Sequence, residues 1–385
     1  MNKAVKGVRL KKKSAMMLVE PTRLTDDAID DVFKWCFEIQ ASDITYQTGQ
    51  PVWADVYGRI QPVTKRRLSP AEVVDVLNRI YGPNGAAQIA SGRDIDIAYE
   101  VKVSRTSRYR FRINATGILV DGTDGIQITA RTLPEDPPKL SSMNVEQQIV
   151  DNYAPRQGMV LVTGPTGSGK STLLAGMIRG LAEDPDANHK ILTYEAPIEF
   201  VYDNVAGPST IISQTEIPRH LPNFAAGVRN ALRRKPTIIL VGEARDAETI
   251  AACGEASLTG HLVFSTVHAN GVAETIRRMS AVFPAEERQG RAIDLMESLR
   301  MVITQALLRT IDGNRVAIRE YLVFDEEVRD TMLQHDVDDW PDASRTLLKE
   351  RGQTMEMAAQ KVFEQGIIDE RTLRLVTARA EAGGH

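Results

Sequence analysis

The sequence predicts an α/β protein in which a small α+β module with an antiparallel sheet precedes a parallel, doubly wound domain and a helical C-terminal piece. Three observations carry that reading. A glycine-rich loop sits between an apolar strand and a helix near 159–178, further apolar runs end in acids or a histidine, and short strand-like runs lie among well-capped helices before residue 133. With 385 residues, 42 % of them hydrophobic, the chain can build two or three domains with real cores.

Taken in order, the chain opens on Lys3, Lys6, Arg9, Lys11, Lys12 and Lys13 before its first acid, Glu20. Such a run reads as a solvated basic tail over 1–23, or as a contact for an anionic lipid or acidic partner. It is not a secretory signal, because the apolar stretch from Ser14 to Val19 is too short. The first domain, 24–133, starts with a helix capped at Thr25 and Asp26, with Ile29, Val32, Phe33, Cys36 and Phe37 at helical spacing. Strands follow over Val52 to Tyr57 and Arg59 to Val63. A second helix has Ser69 as cap and Pro70 at its first position, and stops at Gly82. Strands over Asp94 to Val101, Arg108 to Ala115 and Gly125 to Thr132 complete an antiparallel sheet. Pro134, Pro137 and Pro138 make 134–142 a stiff linker.

The second domain, 143–325, alternates strand and helix as a parallel sheet does, and the last unit, 326–385, is helical, with Arg345 to Phe363 and Asp369 to Glu381 periodic. Net charge is −4, which gives no sign of a nucleic-acid-binding protein overall. No run approaches the ~20 apolar residues that a spanning helix needs. Cys36 and Cys253 have no metal-ligand spacing and read as reduced core thiols.

The chemistry concentrates on strand ends. Met159 to Thr163 is a buried strand, and Gly164, Pro165, Thr166, Gly167, Ser168, Gly169, Lys170, Ser171 and Thr172 form a complete phosphate-binding loop leading into a helix. Glycines let backbone N–H groups curl round a phosphate at the helix N-terminus. Lys170 supplies a cation to the β- and γ-phosphates, and the Ser171 hydroxyl is placed to ligate Mg²⁺. The run Thr237 to Val241 ends in Gly242-Glu243, a Walker B pattern with Glu as the acid. Ile191 to Tyr194 ends in Glu195, with Glu199 four residues on, and Leu262 to Val267 ends in His268, with His261 at its start. A carboxylate at such an edge can orient or deprotonate attacking water, while a histidine can sense a γ-phosphate.

These segments resemble a known family. GPTGSGKST at 164–172, ILTYEAPIEF at 191–200, ALRRKPTIILVGEARDAETI at 231–250 and TGHLVFSTVHAN at 259–270 are similar, in that order, to the Walker A, Asp box, Walker B and His box of the secretion-system motor ATPases, which include the PilT-like pilus retraction motors. ASDITYQTGQPVWADVYGRI at 41–60 and Arg110 to Asn114 resemble that family's N-terminal domain. The resemblance implies a PAS-like α+β N-terminal domain, a RecA-like ATPase domain and a helical C-terminal subdomain. It also implies ATP with Mg²⁺, Glu195 as the catalytic glutamate, Glu243 acting on Mg²⁺ through water, and His261 and His268 as the His-box pair. Arg110, Arg112 and Arg278 would approach a nucleotide, some of them from an adjoining subunit or domain of a homohexamer.

Departures narrow the resemblance. Ala196 stands where the family usually has Asp, and Phe324-Asp325-Glu326-Glu327-Val328-Arg329 replaces the retraction motors' AIRNLIRE signature. Two isolated cysteines cannot build the four-cysteine zinc element of extension-type relatives. The segments 81–101 and 108–117 are most similar to the DotB/TraJ-like motors of type IVB secretion and conjugation. That implies a cytoplasmic protein docking peripherally at the inner membrane on a secretion complex beside a second ATPase, without direct nucleic-acid binding. Two rival readings are a pilus retraction motor and a RecA-like nucleic-acid translocase using Arg229, Arg233, Arg234 and Lys235 as a basic stripe.

Overall fold

The computed structural model describes residues 15–104, 107–134, 136–205 and 207–382. The basic run Lys3 to Lys13 therefore lies outside the described residues. The chain divides into two compact units, Met1–Glu135 and Asp136–His385.

The first unit contains α1 (Asp26–Glu38), β1 (Ala41–Gln47), β2 (Trp53–Val56), β3 (Arg59–Pro62), α2 (Pro70–Tyr81), α3 (Gly85–Ala90), β4 (Ile95–Lys102), β5 (Arg108–Val120) and β6 (Thr123–Leu133). Its sheet is antiparallel in the order β3-β2-β1-β6-β5-β4. Thr25 caps α1, and Ser69 and Glu72 close a reciprocal capping box on α2, which satisfies N–H groups that the first helical turn leaves unpaired. Phe33 of α1 centres the core, its ring 4.7 Å from Phe111, 5.4 Å from Tyr99 and 5.5 Å from Tyr46. β5 and β6 stay paired to Val120 and Thr123, joined by Asp121 and Gly122, both at positive φ as a two-residue hairpin turn requires. Leu119 near that tip is 78 % exposed. The sequence reading passed over β1, although it is the strand between β2 and β6. A register shift between Ala41 and Asp43 breaks its alternation, so the apolar positions do not advertise a period of two.

The second unit contains α4 (Gln147–Asn152), β7 (Gly158–Thr163), α5 (Lys170–Glu183), β8 (His189–Glu195), β9 (Thr210–Glu216), α6 (Phe224–Leu232), β10 (Ile238–Val241), α7 (Ala247–Leu258), β11 (Leu262–Val267), α8 (Val272–Ala281), α9 (Ala285–Ser298), β12 (Leu299–Arg309), β13 (Arg315–Val323), α10 (Glu326–Leu333), α11 (Trp340–Arg351), α12 (Met355–Glu364) and α13 (Glu370–Ala382). The sheet order is β13-β12-β7-β11-β10-β8-β9. β7 to β12 pair in parallel, and only β13 runs antiparallel, so the sheet is not uniformly parallel as the sequence pattern suggested. Both faces are covered. Met159 and Leu161 of β7 join one apolar cluster and Val160 and Val162 the other. Burying each such side chain is worth about 1.5–3 kcal/mol, which is why β7 reads as an unbroken apolar run.

The periodic stretch expected over Arg345 to Phe363 is two helices. Gln353 leaves the helical path to exchange two backbone hydrogen bonds of 3.0 Å with Tyr321 of β13. A Cβ on Gly352 would lie 2.4 Å from the Tyr321 carbonyl oxygen, so the break needs glycine there.

No described helix is long and apolar enough to cross a membrane. Cys36 and Cys253 are free and buried, and burial pushes each thiol up to about 12. Only the thiolate attacks, so both cysteines should ignore a disulfide reagent in native protein at neutral pH and react together on unfolding. Rapid titration of either thiol before denaturant is added would contradict the placement of α1 and α7.

Candidate functional site

β7 delivers the chain to Gly164, and the loop runs to Gly169, the cap of α5. Gly164, Gly167 and Gly169 have φ of 137°, 78° and 84°. The first and last have no room for a side chain either. A Cβ on Gly164 would lie 2.4 Å from the Gln305 carbonyl oxygen, and one on Gly169 2.9 Å from Gln305 Nε2. The loop therefore folds tightly ahead of a 14-residue helix, whose unpaired N–H groups and dipole favour an anion. Lys170 Nζ donates to the Gly164 and Pro165 carbonyls at 2.9 and 3.1 Å. Burial pulls the Lys170 ammonium below its usual lysine range, against the opposing pull of Glu243 and Glu199. Ser168 Oγ is buried with no partner among the described residues, a donor held ready for an acceptor.

Parallel register gathers the other groups. Thr163 of β7 pairs with Val267 of β11, and Val241 of β10 pairs with Ser265 of β11 and Tyr194 of β8. The residues just beyond, Glu195, Glu243 and His268, thus emerge from one edge, beside the loop. His268 Nε2 lies 3.6 Å from Glu243 Oε1, and Arg278 of α8 donates to the His268 carbonyl at 2.6 Å. Glu195 Oε1 accepts from the Thr193 hydroxyl at 2.7 Å and from Gln214 Nε2 at 3.2 Å, which fixes the carboxylate's orientation. Glu216, only 2 % exposed, stands opposite Glu195 in the β8–β9 register and accepts from the Ile198 backbone N–H. It is a second acid beside the Asp box, missed from sequence because β9 was not read as a strand.

Other expected residues fall elsewhere. His261 precedes β11, so it sits at the opposite sheet edge from His268, about 20 Å away at ~3.3 Å per strand residue. It bonds the Ala256 carbonyl through Nδ1 at 3.0 Å. One chain therefore does not bring the histidine pair to one site. Arg110 is 1 % exposed, with Nε on Glu100 at 2.9 Å, and Arg112 forks onto Asp96 at 3.0 and 2.6 Å. Both arginines are held in ion pairs along β4 and β5, which fixes how each guanidinium is oriented on the first unit. The basic stripe is also engaged within the chain. Arg229 pairs with Glu248 at 2.7 Å, Arg233 donates to the Arg229 carbonyl at 3.0 Å and Arg234 to Ser213 at 2.9 Å.

A Mg²⁺ ion takes oxygen donors, and the Ser171 hydroxyl at the start of α5 and the Glu243 carboxylate are of that kind. No cluster of His, Cys, Asp and Glu among the described residues could hold a metal unaided. The donor set fits an ion that shares its ligands with phosphate.

A phosphate-binding loop beside two acids and a histidine, on the C-terminal edge of a RecA-like sheet, defines a P-loop ATPase. The Type II/IV secretion system protein family matches residues 96–378, and the chain belongs to that family. A solved structure of the ATPase DotB from Legionella pneumophila is similar over 96 % of this chain and 100 % of that one, with 55 % identity and a TM-score of 0.91. The type IV pilus retraction ATPase PilT of Pseudomonas aeruginosa is 34 % identical over 87 % of this chain and 93 % of its own length. A twitching motility protein of Neisseria gonorrhoeae is 37 % identical over 81 % of this chain and 80 % of its own. The chain is thus a DotB-like member of the PilT-like secretion ATPases.

Proposed function

We propose that this protein is a homohexameric motor that hydrolyses ATP to ADP and phosphate to drive a type IVB secretion or conjugative transfer system. The observation that carries the reading is the convergence of Lys170, Glu195, Glu243 and His268 on one edge of the sheet, in a chain 55 % identical to DotB.

In this mechanism Gly164 to Thr172 wrap the β- and γ-phosphates with backbone N–H groups, and Lys170 exchanges its loop carbonyls for phosphate oxygens. Glu195, steered by Thr193 and Gln214, takes the proton of the attacking water. In this reading His268 and Arg278 would sense the γ-phosphate. Ser171 and Glu243 would hold Mg²⁺, which supplies charge neutralisation on the phosphates when bound. Arg110 and Arg112, oriented by Glu100 and Asp96, would approach the nucleotide from an adjoining subunit or domain of the ring. Work is delivered by rotation about the 134–142 linker, and the motor docks at the inner membrane on a secretion complex beside a second ATPase.

A ring closes head-to-tail interfaces without open ends. Light scattering on purified protein with ATP should therefore find a hexamer, and ATP hydrolysis should follow its formation. A monomer at micromolar concentration with full activity would overturn the ring. Stimulation of hydrolysis by DNA alone would favour the translocase instead.

A further inference from the structure

The phosphate loop is seated on a side chain outside every motif considered above. Gln305 of β12 donates from Nε2 to the Ser168 carbonyl at 2.7 Å, and Gly164 and Gly169 close around it. Gln305 Oε1 accepts from Arg319 Nε of β13 at 2.9 Å. Arginine has donors only, so Arg319 fixes which end of the Gln305 amide faces the loop. Arg319 is 1 % exposed, and its remaining N–H groups reach the Asn144 carbonyl and Glu146 Oε2 at 3.1 Å and the Met143 carbonyl at 3.3 Å. Gln353, between α11 and α12, donates from Nε2 to Glu146 Oε1 at 3.2 Å and to the Arg319 carbonyl at 2.8 Å. Its Oε1 accepts from Lys361 of α12. Glu320, next to Arg319, accepts from the Met355 N–H at the start of α12 at 3.3 Å and from the Val272 N–H at the start of α8 at 2.7 Å.

A single hydrogen-bonded chain therefore runs from Ser168 through Gln305, Arg319, Glu146 and Gln353 to Lys361. Gln305, Arg319 and Gln353 are buried, and linked buried polar groups of that kind have few alternative arrangements, while Glu146 and Lys361 carry the chain to the surface. We propose that Gln305 is the positioning residue of the phosphate loop, and that this chain couples nucleotide to helix α12. The proposal rests on the loop's binding nucleotide, as inferred above. Lining up the Ser168 carbonyl turns the loop's N–H groups toward phosphate. A nucleotide that pulls on the loop shifts the same chain at its far end. Coupling is reciprocal, so whatever nucleotide does to α12, α12 does to nucleotide affinity.

Gln305→Glu preserves volume and keeps an acceptor for Arg319, but sets a carboxylate against the Ser168 carbonyl. Full-length protein carrying it should bind fluorescent ADP about tenfold more weakly, the loss expected for one buried hydrogen bond turned repulsive. Lys361→Met lies on an exposed helix face remote from the loop and should weaken ADP about fivefold. Because it also removes the donor to the buried Gln353 Oε1, affinity is compared at a temperature where circular dichroism shows both proteins folded. Amide hydrogen exchange supplies a readout that a merely structural role would not move. In wild-type protein ADP should slow exchange across α12, and in both variants saturating ADP should leave α12 unchanged. Should Gln305→Glu fail to fold, Lys361→Met decides alone. ADP affinity within twofold of wild type in the folded variants, or an α12 response that survives them, overturns the proposal. Failure of wild-type protein to bind ADP would overturn the nucleotide reading itself.

Discussion

Glu195→Gln protein is expected to retain ATP while hydrolysing it roughly 10² to 10⁴ times more slowly, the usual cost of losing a general base. The substitution is nearly isosteric, and Thr193 and Gln214 still find a carbonyl oxygen at the Oε1 position. An amide cannot accept the water's proton, so the loss falls on the chemical step and nucleotide affinity is spared. Single-turnover hydrolysis beside an equilibrium binding curve separates the two. Normal turnover would move the base to Glu199, which lies close enough to Lys170 to act on its charge. In cells holding the whole secretion apparatus the trapped variant should accumulate at the inner membrane, and crosslinking followed by fractionation would reveal it.

Lys170→Ala should act on the opposite step. A hydrogen bond from a charged group contributes about 1.5–3 kcal/mol, so losing the ammonium should weaken ATP binding by about 10- to 100-fold. Unfolding is not the expected cause. Burial already disfavours the Lys170 charge in the folded chain, and a lysine with a depressed folded value adds nothing to stability while protonated. The melting temperature without nucleotide should therefore hold within a few degrees, while the rise produced by a given ATP concentration shrinks by the equivalent of about 1.4–2.7 kcal/mol. Calorimetry with and without ATP checks both parts. Unaltered affinity would remove Lys170 from the site.

The features read correctly from sequence are those written in one short segment. The loop from Gly164 to Thr172 announces itself because glycine, lysine and serine must stand at fixed offsets on a strand–loop–helix corner. β10 announces itself as an unbroken apolar run and β11 as a largely apolar one, since a strand covered on both faces has little polar side to show. Gln305 left no such mark: its partner Ser168 is 137 positions away, and a glutamine inside a strand looks like any other polar residue. Glu216 was hidden for the same reason, because only pairing of β9 with β8 sets it opposite Glu195. The strand between His261 and His268 was legible too, and it sets the two histidines that the family resemblance groups together at opposite ends of β11 within one chain.

The inaccessibility of Cys36 and Cys253 has a practical corollary. A chain whose own thiols are sealed inside the fold needs no cysteine removed before a dye or spin label is attached. The β5–β6 hairpin offers the attachment point. Leu119 faces solvent near its tip, so a cysteine substituted there would be the one fast-reacting thiol in the molecule. Its distance to a second engineered thiol on the Asp136–His385 unit, measured with and without nucleotide, would test whether the two units move, in a background that otherwise keeps its natural sequence.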